Sequence, residues 1–145
     1  MNRPIHEDFT YYLQLKEDSL SRLYIDLRNY ILGIYPDSNE LLYHTHALTS
    51  VYSISAKLSD AFCHIPIYSS HLNLGFNRGT LLDDPEKLLQ GTGKLIRHIP
   101  IKDASDLEVS GLRRLIEDAI NFSREDMDKP SKVTAKTISK IKGKK

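Results

Sequence analysis

Residues 73–98, with the sequence NLGFNRGTLLDDPEKLLQGTGKLIRH, constrain the fold more than any other part of the chain. The stretch carries four of the seven glycines between short apolar runs. Glycine permits positive φ and close backbone approach, so this clustering predicts tight turns. Two arginines, two lysines and one histidine lie among them, so the stretch also gathers positive charge. It is therefore the first place to look for a binding site.

Hydrophobic periodicity predicts helices near the start of the chain and strands in its middle. Apolar residues at three- and four-residue steps predict a helix over 17–34, ended by Gly33 and Pro36. The same reasoning suggests an earlier helix over 4–15 and a short one over 38–44. Alternating apolar residues predict strands, which cover 51–57, 62–68, 71–76 and 95–101. Short connections predict antiparallel pairing, and Pro66 predicts an edge or a bulge in its strand.

The second half of the chain has clear signals for helix starts. Asp84 and Pro85 predict a brief helix that Gly91 ends. A capping box over 105–108 predicts the start of a last helix with an apolar stripe. Helices at both ends around consecutive strands indicate the α+β class. The expected fold is an antiparallel sheet of about four to five strands, with the N- and C-terminal helices packed on one face.

The charge distribution divides the chain into two parts. Residues 1–128 hold 13 basic and 19 acidic residues, a net charge of −6, whereas residues 129–145 hold seven lysines and no acid. We interpret 1–128 as a single domain and 129–145 as a flexible lysine-rich tail. This tail would be the only part of the chain that contacts nucleic acid. Alternatively, the tail stays free in solvent or lies against the acidic domain.

Other sequence features bear on the cellular compartment of the protein. No apolar run approaches the ~20 residues that a membrane span needs, and the N-terminus lacks the apolar core of a secretion signal. The single cysteine, Cys63, excludes an intrachain disulfide and a multi-cysteine metal site. These features predict a cytoplasmic protein that does not enter a membrane.

The segment CHIPIYSSHLNLGFNRGTLLDDPEKLLQGTGKLIRHIPIK resembles the signature of the YdhG-like family. The resemblance rests on a strand, the turn over 75–79, Asp84-Pro85, the GTGK turn over 91–94, and Arg97-His98. It covers about residues 17–122. It implies a small α+β sandwich similar in outline to frataxin, in a family without an assigned reaction. For one relative the implied role is that of an intracellular iron chaperone.

Four side chains of the glycine-rich stretch form the candidate ligand-binding site: Arg78, Lys94, Arg97 and His98. Together with backbone N–H groups they would surround an anion. The alternative is that these cations pair with the nearby acids Asp83, Asp84 and Glu86. The spacing matches neither a Walker motif nor a dinucleotide-binding motif.

Other residues of the sequence bear on two further chemistries, metal binding and nucleophilic catalysis. Histidines 44, 46, 64, 71 and 98 would form a zinc or iron site only if the fold brought them together with an acid. The N-terminal acids, at positions 7, 8, 17, 18 and 26, would serve the iron alternative. Cys63 lies on an apolar strand face, which favours an inert thiol.

The leading expectation is therefore a non-catalytic binding module for an anionic small molecule or a protein partner. It needs no cofactor. An iron-binding chaperone is the alternative.

Overall fold

The computed structural model describes residues 3–127 and 129–142. Within them the protein has three α-helices and six strands, joined by turns and short 3₁₀ segments. In chain order these are α1 (Glu7–Leu13), α2 (Asp18–Ile34), β1 (Asn39–His44), β2 (Leu48–Ser53), β3 (Ala61–Ile67), β4 (Leu72–Phe76), β5 (Arg97–Ile101), α3 (Leu112–Glu125) and β6 (Thr137–Ser139). No described helix is long and apolar enough to cross a bilayer.

The strands form one sheet in the order β5-β4-β3-β2-β1-β6. Every neighbouring pair is antiparallel except β1 and β6, which run parallel. The α+β class and the mainly antiparallel pairing are therefore confirmed. The expected number of four to five strands was too low, because the sequence patterns missed both β1 and β6.

Residues 38–44 were predicted as a short helix but form β1. Leu41 and Leu42 are both buried, on opposite faces of the sheet. A strand covered on both faces loses the alternation of apolar and polar residues that identifies a strand in a sequence. Leu41 and Leu42 therefore provided no strand pattern against the short helix predicted after the Pro36 turn.

The lysine-rich segment contributes to the sheet instead of forming a flexible tail throughout. Leu41 pairs with Ile138, and the Glu40 N–H donates to the Lys136 carbonyl at 2.7 Å. The Asn39 side chain donates to the Val133 carbonyl at 2.8 Å. These contacts correct the prediction for residues 137–139, while residues 128 and 143–145 lie outside the described part of the chain.

Pro66 does not mark an edge, because β3 lies between β2 and β4. It pairs with Thr49 of β2, whereas the pairing with β4 skips Ile65 and Pro66. Proline has no N–H to donate to the next strand, which accounts for the gap. The pairing of β2 with β3 shifts register between Tyr52 and Ser53, where β3 has one extra residue, a β-bulge. Because of this bulge, the adjacent residues Phe62 and Cys63 both belong to the same hydrophobic core.

The two helix starts predicted in the second half of the chain differ in the structure. Asp84 does act as a cap, accepting from the Leu88 and Leu89 N–H groups at 2.9 Å each, but it closes a turn instead of a helix. The capping box involves Asp103 and Asp106 and starts the 3₁₀ segment Ala104–Glu108. The long helix α3 begins only after Gly111, which has φ +93°.

The sheet separates a large core from a small one. All three helices share the large core with one face of the sheet, which we call the inner face. The other face, the outer face, has a small cluster of Leu41, Val51 and Ala61, to which Tyr43 and Ile138 add. None of the helical residues in the described part of the chain belongs to that cluster. The outer face thus keeps partly exposed side chains on several strands.

A buried ion pair joins α2 to the inner face. The Arg28 guanidinium donates to both Glu40 carboxylate oxygens, at 2.6 and 3.0 Å, and both side chains are at most 2% exposed. Arg28 also donates to the carbonyls of Arg3 and Pro4, which holds the N-terminal arm. Thr137 of β6 donates to Glu40 at 3.1 Å.

A chain of hydroxyls extends this pair. Tyr52 donates to Glu40 at 2.8 Å, and Ser50 lies within hydrogen-bond distance of both Tyr52 and Tyr24. Burial, together with the charge of Glu40, raises the pKa of Tyr24 and of Tyr52 above the usual value. Burial alone would lower the pKa of Arg28, but the hydrogen bonds and charge of Glu40 outweigh it and raise that pKa. The tyrosines thus stay neutral and Arg28 stays charged.

We expect Glu40→Gln to lower the free energy of unfolding by about 3–5 kcal/mol, because it leaves the Arg28 charge buried without a counterion. Urea denaturation measures this. Glu117→Gln is the matched control, since Glu117 pairs with Arg113 on the surface of α3 and should change stability by less than about 0.5 kcal/mol. Equal effects of the two substitutions would contradict the assignment.

Candidate functional site

The four predicted site residues do not converge on one point. Arg97 pairs with Phe76 and His98 pairs with Gly75, so these adjacent residues lie on the inner and outer faces respectively. Arg78 and Lys94 lie in the loops before and after residues 79–93. The structure therefore separates side chains that the sequence placed in one pocket.

The charge of Arg78 already has a partner. Its Nη1 lies 2.8 Å from a carboxylate oxygen of Asp126, at the end of α3. Its guanidinium carbon lies 5.7 Å from the Phe122 ring centroid, a cation–π contact. Arg78 thus ties the loop after β4 to α3, as the structural alternative predicted, although with Asp126 in place of Asp83, Asp84 or Glu86.

Arg97 and Lys94 belong to one turn. Arg97 Nε and Nη2 both donate to the Gly93 carbonyl, at 3.1 and 3.0 Å, and the Lys94 carbonyl accepts from the Thr80 hydroxyl at 2.8 Å. Among the residues described, no carboxylate lies within ion-pair distance of either side chain. Both charges remain available at the N-terminal end of β5.

The glycines of this region serve close packing more than positive φ. A Cβ on Gly79 would lie 2.5 Å from Arg97 Cβ, and one on Gly75 would lie 2.2 Å from His64 Nε2. Only Gly91, at φ +117°, needs the left-handed region among the four glycines of residues 73–98. Gly75 and Gly79 are therefore required because neighbouring side chains cross directly over them.

His64 and His98 come together on the outer face with Gly75 between them. Val51, His64, Gly75 and His98 occupy successive strands in one row. The His64 ring lies across Gly75, and His64 Nδ1 is 2.9 Å from Asn77 Oδ1. The His98 ring lies against Gly91, since a Cβ there would be 3.4 Å from His98 Nδ1. We call this arrangement the histidine row.

Three effects act on the pKa of His64. Burial lowers it most, the bond to Asn77 opposes that shift, and the nearby His98 lowers it further, so the net pKa is below the ordinary value of 6.5. The neutral ring has its proton on Nδ1 if it donates to the Asn77 oxygen. The lone pair then lies on Nε2, above the strand that carries Gly75.

The other histidines and the predicted metal-binding acids lie apart from this row. His44 packs on Tyr12 at 4.0 Å between ring centroids, and His71 stacks on Tyr68 at 4.8 Å. Asp8 accepts from the Ser139 hydroxyl at 2.6 Å. Within residues 3–127 and 129–142, no group of three or more histidine, cysteine or acidic side chains is placed to hold a metal ion.

Cys63 lies on the inner face and is fully buried. Burial raises the pKa of its thiol well above the ordinary value. The thiolate, which is the nucleophilic form, is disfavoured there. The prediction that Cys63 packs as a small apolar side chain agrees with this environment.

A cleft beside β5 brings together two lysines that sequence reasoning did not select. Lys87 and Lys102 line it, with Leu88, Ile99 and Val109 among the apolar walls, and its volume is about 290 Å³. Lys87 has φ +56°, a conformation that costs a residue with a Cβ free energy. Asp106 also lines the cleft, but its Oδ2 accepts from the Lys102 N–H at 2.7 Å and the Asp103 N–H at 3.3 Å.

Nothing in the sequence singles out Lys87, because a positive φ at lysine has no sequence signature. His64 had a stronger sequence signal than Lys87. Strand alternation turned it away from Cys63, and a glycine inside a strand signals close approach by a neighbour. The missing information was the register that places His64 opposite Gly75.

Comparisons with protein-family models, with curated proteins and with solved structures found no match for this chain. The resemblance to the YdhG-like family therefore stays a prediction.

We expect Gly75→Ala to destabilise the protein by about 1–3 kcal/mol, because the new methyl group displaces the His64 ring. The same substitution in a His64→Ala background should be nearly neutral. Chemical denaturation of the four proteins gives the coupling. Gly33→Ala is the control, since no atom lies within 4 Å of its Cβ position and alanine should gain about 0.5–1 kcal/mol in α2. An equal cost of Gly75→Ala in both backgrounds would exclude His64 as the cause.

The lowered pKa of His64 predicts a loss of stability in acid. The unfolded chain binds a proton near pH 6.5, whereas the folded protein resists it until lower pH. The contribution is therefore present above pH 6.5 and is lost as the pH falls through the folded pKa. Urea unfolding from about pH 7.5 to about pH 5.5 should show a smaller decline for His64→Gln than for the natural protein. His46→Gln, at an exposed position, should leave the decline unchanged.

Proposed function

We propose that this protein is a non-catalytic binding module for a small organic anion, and that the ligand occupies the cleft beside β5. The observation that supports this most is the pairing of two lysines with apolar walls in one concave site. Ligand sites are commonly apolar clefts with a few placed polar groups. A cleft of about 290 Å³ suits a metabolite of modest size.

The electrostatics of the cleft favour an anion. Lys87 and Lys102 contribute two positive charges, against the single negative charge of Asp106. Two backbone N–H groups already bind the carboxylate of Asp106, which reduces its repulsion of a ligand. Lysine ammonium groups bind carboxylates or phosphates as point charges. The ligand would place such a group between the lysines and an apolar body against Ile99 and Val109.

Lys87 offers a second line of support. Non-glycine residues with positive φ cluster at functional sites, where the strain is maintained for a purpose. The turn that holds Lys87 is closed by its N–H donating to the Asp84 carbonyl at 3.1 Å and is followed by the two N–H groups that Asp84 caps. This turn presents the lysine at the wall of the cleft.

Three of the four predicted site residues, Lys94, Arg97 and His98, lie beside this cleft but outside its lining. His98 pairs with Gln90, a residue of the cleft lining, through two backbone bonds of 2.8 and 2.9 Å. Lys94 and Arg97 lie next along the same edge, farther from the two cleft lysines. Membership of the YdhG-like, frataxin-like family belongs to the proposal too, on the resemblance of residues 17–122. So does a cytoplasmic location, on the charged N-terminus and the short apolar runs of the sequence.

Two alternatives remain predictions. Iron binding by the N-terminal acids would appear as ferrous ion binding in an anaerobic titration. Association with nucleic acid would depend on the lysines that flank β6. Because residues 137–139 belong to the sheet, those lysines are on a structured edge instead of a free tail.

We expect small organic anions to raise the melting temperature, and Lys87→Met and Lys102→Met to weaken their binding at least tenfold each. The probes are acetate, hexanoate, succinate and a phosphomonoester such as glycerol phosphate, at matched ionic strength, with calorimetry for any that stabilise. A ligand at about 100 times its Kd should add about 2.7 kcal/mol. Hexanoate against glycerol phosphate separates a carboxylate ligand from a phosphate ligand.

Lys94→Met is the matched control, because it removes one lysine of the same edge outside the cleft. It should leave binding within about twofold, well below a tenfold change of 1.4 kcal/mol. Lys87→Gly removes both the backbone strain and the lysine side chain. It should therefore not lower the melting temperature of the ligand-free protein, but it should abolish ligand binding. Binding that survives in the Lys87→Met/Lys102→Met double variant, or no stabilisation by any probe, would contradict the proposal.

A further inference from the structure

The histidine row has features that packing alone does not need. His64 and His98 stand on strands separated by β4, so their Cα atoms are roughly 10 Å apart at two strand spacings. The one residue between them is Gly75, which has no side chain. The His64 ring lies across this gap toward His98. Nothing on Gly75 therefore separates the two imidazoles.

The orientation of His64 is fixed from outside the row. Asn77 binds Nδ1, which leaves Nε2 as the free ring atom, directly above Gly75. Metal-binding histidines commonly have their second ring nitrogen held by a neighbouring polar group in this way. Both rings lie on the outer face, where they are partly exposed.

We propose that His64 Nε2 and the His98 imidazole bind a divalent transition-metal ion of the zinc, nickel or copper type on the outer face. Imidazole nitrogens suit these ions, whereas calcium and magnesium prefer oxygen ligands. Water completes the coordination, because the described residues provide no third histidine, cysteine or acid there. The inference goes beyond the proposed anion site and does not depend on it.

The test is calorimetric titration of the untagged protein with zinc chloride and nickel chloride, with magnesium chloride as the negative probe. We expect one zinc or nickel ion per chain at micromolar affinity and no heat from magnesium. His64→Ala and His98→Ala should each weaken binding at least tenfold. Asn77→Ala, which removes the group that orients His64, should weaken it about 10–100-fold.

His44→Gln and His71→Gln are matched controls, because each removes a histidine that stacks on a tyrosine away from the row. Both should bind zinc as the natural protein does. Lys87→Met/Lys102→Met should also retain zinc binding, which separates this site from the anion cleft. Melting curves establish that each variant is folded, and histidine ring proton spectra show which rings shift with zinc.

The proposal is overturned if the natural protein binds neither ion below millimolar concentration. It is also overturned if a folded His64→Ala/His98→Ala variant binds as tightly as the natural protein. Ring shifts confined to His44, His46 or His71 would assign the ion to another histidine and exclude the row.

Discussion

The Arg28–Glu40 pair is the interaction on which the arrangement of the fold depends. It joins α2 to β1 directly, the N-terminal arm through the Arg3 and Pro4 carbonyls, and β6 through Thr137. A buried pair contributes little net stability by itself, since desolvation of both charges opposes the attraction. Its importance lies in the cost of any arrangement that leaves one charge alone. The pair therefore selects one placement of α2 over the sheet and fixes which strand lies beside β1.

That selection leaves the two faces of the sheet with different roles. All three helices pack on the inner face, so the apolar side chains of β3 and β4 complete the core there. The outer face keeps His64, Gly75 and His98 in one row, and none of the described helices packs over them. Because successive strand residues alternate between faces, Cys63 is fully buried while its neighbour His64 is partly exposed. The fold thus places a buried thiol and a partly exposed imidazole on opposite faces of the sheet, one residue apart.

Much of the secondary structure could be predicted from local sequence patterns. The apolar steps of α2 and the alternation of β3, β4 and β5 were read correctly, because a one-sided core leaves a clear period in the sequence. β1 was missed because Leu41 and Leu42 are buried on opposite faces, and β6 because three residues between lysines give no period. The candidate site depended on register. Arg78 and Arg97 looked equivalent in the sequence, yet one pairs with Asp126 and the other with the Gly93 carbonyl. Neither partner can be identified without the tertiary structure.

The edge at β5 explains why both proposed sites lie at the same side of the molecule. Among the residues that the structure describes, the sheet continues beyond β5 only as the two bonds between Gln90 and His98. The next outward position is Pro100, which has no N–H. Another strand would therefore find few partners along this edge, and a loop takes its place. That loop carries the cap of Asp84, the strained Lys87 and the left-handed Gly91. Because loops on a rigid sheet can vary without unfolding the core, this edge is where the fold can accommodate binding groups at least cost to its stability.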